Sequence, residues 1–105
     1  MTLDEMKLAV CEKLPELIHI SHFGAYWHSV KDGKHDTRLI NWPTEGLQVC
    51  HEAEKMLDKR IYERPSERCR YVELLETMRG TLGGAMATYE QRLEALCRVW
   101  FPHRF

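Results

Sequence analysis

The sequence predicts an α+β fold, a small antiparallel sheet sandwiched between helices, and three observations lead to it. Apolar residues recur at helical spacing in four separate stretches. Between the first two lies an aromatic and β-branched run, Ile18 to Val30, followed by Asp32-Gly33, the pair that a two-residue hairpin favours because both turn positions need positive φ. The helices do not alternate regularly with strands, which argues against a parallel α/β sheet. At 105 residues the chain has room for one core, so residues 1–105 are expected to form a single domain.

The first helix runs from about Thr2 to Lys13. Thr2 with Glu5 three residues on reads as a capping box, Leu3, Met6, Val10 and Leu14 give the apolar face, and Pro15 stops the helix. Gly24 to Val30 has the period of two expected of a strand. Lys31-Asp32-Gly33-Lys34 turns the chain, Thr37 to Trp42 returns, and Pro43 ends the second strand.

A second amphipathic helix is expected to open near Thr44 or Glu45, with Leu47, Cys50, Ala53, Glu54 and Leu57 along it and Lys59 and Arg60 at its negative end. Arg64-Pro65-Ser66 breaks the pattern. Ser66 then caps a third helix, whose stripe is Tyr71, Leu74, Leu75 and Met78 and whose C′ residue is Gly80. Residues 83–87 read either as a short third strand or as a loop. Thr88 and Gln91 form another capping box, and the last helix carries Tyr89, Leu93, Leu96, Cys97 and Trp100 on one face before Pro102. Phe101 and Phe105 suggest that the tail docks.

Composition narrows the function. Fifteen Lys and Arg against sixteen Asp and Glu leave a net charge of -1, with the two signs interleaved, so a broad basic footprint for nucleic acid is lacking. Only Lys59, Arg60, Arg64, Arg68 and Arg70 gather locally, diluted by Glu63 and Glu67, and they leave a weak nucleic-acid binder as one alternative. No apolar run approaches the roughly 20 residues of a membrane helix, and the acidic start is unlike a signal peptide, so no membrane association and a cytoplasmic location are expected. Cys11, Cys50, Cys69 and Cys97 are widely spaced and read as reduced, packed thiols.

Three groups of residues bear on chemistry. His19, His22 and His28 lie within ten residues, with His35 just past the turn; His22, His28 and, further on, His51 are the candidates for a metal site or for acid/base chemistry, although their spacing matches no zinc signature. Cys50 beside His51 does not make a nucleophile and base, because adjacent helical side chains diverge by about 100°. Gly80-Thr81-Leu82-Gly83-Gly84 lacks the lysine of a P-loop, and no cofactor is expected. Finally, Tyr26, Trp27 and Trp42, all read as lying on the hairpin, are the candidates for binding a protein partner or a second copy.

The order of segments resembles that of a known family. The helix T-L-D-E-M-K-L-A-V-x-E-K-L, an aromatic strand ending in Asp32-Gly33, the stretch Leu47-Gln48-Val49-Cys50-His51-Glu52-Ala53-Glu54-Lys55-Met56-Leu57, and the closing Ala87-Thr88-Tyr89-Glu90-Gln91-Arg92-Leu93-Glu94-Ala95-Leu96 resemble the small proteins of the phage ABA-sandwich family. The resemblance implies a sheet between helical layers in a protein of phage or prophage origin, and it carries over no functional residues. Together these readings favour a non-enzymatic accessory protein that binds a partner or itself, with a histidine-based enzyme as the alternative.

Overall fold

The computed structural model describes residues 1–79 and 87–105. Helix α1, Leu3–Glu12, is capped by Thr2, whose hydroxyl accepts the Glu5 N–H at 3.2 Å. The second half of the expected box is different: Glu5 Oε1 takes the Thr2 hydroxyl proton at 3.3 Å rather than a backbone N–H.

The aromatic run forms two strands where the sequence predicts one. Strand β1, Ile18–Ser21, ends at a tight turn over His22 and Phe23, and β2, Gly24–Lys31, pairs back on it. Ser21 Oγ accepts the Phe23 N–H, and Gly24 adopts φ 138°, a value that side chains rarely tolerate. Asp32 and Gly33 make the expected turn with φ 53° and 77°, setting Lys31 opposite Lys34. Strand β3 is Lys34–Leu39, so it begins and ends three residues before the expected strand. The sheet therefore has three antiparallel strands in the order β1-β2-β3, its third strand coming from Ile18–Ser21. Residues 83–86, the other candidate for that strand, and Gly80 lie outside the described residues; Ala87 is buried and in no strand.

Trp42 and Pro43 belong to a helix, not to the returning strand. Helix α2 is Trp42–Lys59, with Asn41 as N-cap and Pro43 in the first turn, where its missing N–H costs nothing. Its buried residues are Gly46, Val49, Cys50, Ala53 and Leu57, which leaves Leu47, one position off the stripe, exposed. Helix α3, Pro65–Arg79, starts at Pro65, so Ser66 lies inside it instead of capping it. Helix α4, Tyr89–Trp100, has the full Thr88 and Gln91 capping box.

Helix α4 is the centre of the packing and meets α1, α2 and α3. Its Leu93, Ala95, Leu96 and Cys97 are fully buried with Val10 and Cys11 of α1, Val49, Cys50 and Ala53 of α2, and Tyr71 of α3. Arg92, also buried, donates to Glu54 Oε1 at 2.9 Å and to the Ala87 carbonyl at 3.2 Å, tying α4 to α2. The tail docks as expected: Phe101 packs on the core, and Arg98 lies 4.4 Å above the Phe105 ring.

The helices gather on one face of the sheet. The register places Ile18, Trp27 and Arg38 side by side on that inner face, with Ile20 beside Ala25 and Ser29 beside Asp36. Ile18 and Ala25 are buried there, and Ile20 and Trp27 pack against the core. The α+β class is thus the predicted one, but the expected sandwich is not formed by the described residues: the helices layer on the inner face alone, where the apolar side chains of β1 and β2 point, and the outer face is open.

Candidate functional site

Two surfaces of the sheet carry groups that could act. The first is a cleft of about 320 Å³ where the inner face meets α2, lined by Trp27, Ser29, Asp36, Arg38, Gln48 and Glu52 among others. Two of its charged groups, Arg38 and Glu52, are already engaged. Glu45 takes two bonds from Arg38, at 2.9 and 2.6 Å, a third from the Trp27 indole at 2.9 Å and a fourth from the Asn41 N–H at 2.9 Å. The guanidinium and these donors hold the Glu45 carboxyl well below its ordinary range, at about 2. This carboxylate clips β2 and β3 onto the start of α2. Glu52 is likewise paired with Lys55 at 2.9 Å.

The second surface is the outer face. There the register aligns His19, Tyr26 and Leu39, then His28 with Thr37, and Val30 with His35. Val30 and Leu39 are 59% and 56% exposed, and Phe23, at the turn leading into β2, is 89% exposed. Isolated apolar residues on a surface are ordinary, but Leu39 and Val30 share with Tyr26 a sheet face left open among the described residues. Leu39 belongs to β3, an edge strand in which every residue is exposed.

The predicted partner-binding residues separate. Tyr26 lies on the outer face; its neighbour Trp27 points inward to Glu45. Trp42 opens α2, where its ring centroid lies 6.3 Å from that of Tyr89 with the planes 30° apart, and Lys7 lies above it at 5.5 Å. Parity along a strand was legible and separates the first two; the displacement of Trp42 follows from the helix starting earlier than predicted.

The candidate metal residues also separate. His22 sits in the β1–β2 turn, His51 is exposed on α2, and His28 is on the outer face. His28 instead meets His35, Nε2 to Nδ1 at 3.0 Å, with ring planes 8° apart. Centroids 5.2 Å apart exclude one ring lying over the other, because that separation is nearly the contact distance plus both ring radii. The rings are edge to edge and share an in-plane N–H···N bond, which requires one nitrogen to donate and the other to accept. Among the described residues no three His, Cys, Asp or Glu side chains converge as a metal cluster.

Burial pushes the Cys11 and Cys50 thiols up to about 12 and Cys97 to about 11, which withholds the thiolate that nucleophilic chemistry needs. Cys69, expected to be packed, is exposed: it lies two residues from buried Tyr71 and therefore on the far side of α3. Three residues of the basic group near α3 are drawn into ion pairs, Arg60 and Arg64 with Glu67 and Arg68 with Asp58. No described helix is long and apolar enough to cross a membrane. Comparison with protein-family models, with curated proteins and with solved structures finds no match to the chain.

Proposed function

We propose that this protein is a non-enzymatic accessory module of phage or prophage type that works by self-association, with the exposed layer of its sheet as the contact surface. The observation that carries this reading is the outer face left open among the described residues, where Leu39 stands opposite Tyr26, Val30 lies further along β2 beyond His28, both are largely exposed, and β3 presents a free edge. A net charge of -1 means that two copies repel each other little at long range, which favours a second copy over a strongly charged partner. The resemblance of the segment order to phage ABA-sandwich proteins supports the phage setting, and with it action in the cytoplasm of a bacterial host.

The test is sedimentation velocity of the purified chain across a concentration series, beside the Val30→Ser, Leu39→Ser double variant. The expected result is a concentration-dependent oligomer that the double variant weakens while the far-ultraviolet circular dichroism stays unchanged. A chain that remains monomeric at every concentration overturns the reading.

A further inference from the structure

The backbone of β3 restricts how a second copy can add to the sheet. The Ile40 N–H bonds the Ala25 carbonyl, so with the observed register Lys34, Asp36 and Arg38 direct their backbone groups at β2. The N–H and C=O groups of His35, Thr37 and Leu39 consequently point to the free edge. An antiparallel partner strand can bond only if outward-pointing residues meet outward-pointing residues, which leaves registers in which one residue faces its own copy.

Charge chooses among them. Centring the pair on Asp36 sets two carboxylates opposite each other, and centring it on Arg38 sets two guanidiniums opposite each other. Centring on His35 or Leu39 overlaps the six-residue strands only at their ends. Centring on Thr37 pairs Thr37 with Thr37, His35 with Leu39, and Asp36 with Arg38 twice over. Every outward backbone group of β3 is then bonded, and both charge pairs are complementary.

From this pattern, and resting on the self-association proposed above, we infer that two copies join edge to edge through β3 in the register centred on Thr37, merging two three-stranded sheets into one. The Asp36 and Arg38 pairs fall at non-hydrogen-bonded positions, where cross-strand side chains are closest. They also lie on the cleft side of the sheet, in space that α2 does not fill. Arg38 spends two of its guanidinium N–H groups on Glu45 and has others to offer the second chain. His35 opposite Leu39 makes the outer face continuous across the joint.

Single-cysteine cross-linking reads the register directly. In a Cys69→Ser background, which removes the exposed native thiol, Thr37→Cys and Asp36→Cys are oxidised under native conditions and their masses compared. Thr37→Cys is expected to trap a covalent dimer, because the facing Cα atoms fall within the range a disulfide spans, whereas Asp36→Cys, facing Arg38, is not. Independently, Asp36→Lys creates two like-charge pairs and is expected to weaken the dimer about tenfold. Mixing it with Arg38→Glu restores both pairs and is expected to yield the heterodimer.

An oligomer that the Val30→Ser, Leu39→Ser variant weakens, but that Thr37→Cys fails to trap, overturns this register and leaves self-association standing, as packing of outer face on outer face. A wild-type chain that stays monomeric overturns both.

Discussion

Replacing Arg92 by leucine is expected to cost about 3 kcal/mol of stability. The guanidinium is buried with its side chain only 11% exposed, and Glu54 opposite it is 19% exposed. Burial pulls the Arg92 pKa down, yet the Glu54 carboxylate and the Tyr71 phenol more than offset this, and it stays above its ordinary value. Removing one member of a buried ion pair costs roughly 3 to 5 kcal/mol, because the other charge is left without a partner in a poorly solvated place. Water reaching Glu54 puts this case near or below the low end, about 2 kcal/mol, and the Ala87 carbonyl loses its donor for about 1 kcal/mol more. Against a total of about 5 to 15 kcal/mol for a domain, that is a large fraction.

Urea unfolding followed by tryptophan fluorescence would read the loss as a midpoint lower by about 1 to 3 M, at an m-value of about 1 to 3 kcal/mol/M. The double variant Glu54→Leu, Arg92→Leu leaves no unpaired charge and is expected to be more stable than the sum of the two single losses. An Arg92→Leu midpoint indistinguishable from wild type would refute the claim that this pair ties α4 to α2.

Other expectations follow from the same geometry. Glu45 has a folded pKa depressed from 4.5 to about 2, so its contribution to stability is complete above about 4.5 and is lost as the pH falls toward about 2. Unfolding of wild type and Glu45→Gln should therefore differ most above that window and converge within it; a constant gap would contradict the clip. Gly46→Ala, normally worth about 1 kcal/mol in favour of a helix, is expected to destabilise by roughly 1 to 3 kcal/mol, since the new Cβ would stand 2.5 Å from Tyr89 Cγ. A raised melting temperature would show that the ring yields. With a chromogenic disulfide reagent, only Cys69 of the four thiols should react in the native protein, and all four after unfolding. Rapid reaction of Cys50 in the folded state would contradict its burial.

Much of the fold could be read from local rules. The Asp32-Gly33 turn set the β2–β3 register to the residue because its chemistry admits one geometry, and the Thr88 and Gln91 box located the start of α4. The misplaced elements are those where a residue has two meanings. Pro43 ends a strand as readily as it sits in the first turn of a helix, and Asn41 before it was the overlooked sign that a helix opens there. The turn at His22 and Phe23 carries no strong turn pair, and Gly24 was its one visible marker. Arg92 lies beside Leu93 on α4, and charge in a helix reads by default as solvated; only the fold brings Glu54 to it across 38 residues of chain.

The candidate surface was half legible. Tyr26 was chosen for its type, while Val30 and Leu39 emerge only once the register shows which face the helices leave open. Strand periodicity states which residues share a face, not which face is covered.

The measurement that tests the central claim most directly is a native mass spectrum of the untagged protein taken over a range of concentrations. Self-association through the sheet predicts a dimer that grows with concentration and is reduced in the Val30→Ser, Leu39→Ser variant. A monomer at every concentration, or a monomer carrying a stoichiometric metal or small-molecule adduct, would contradict it.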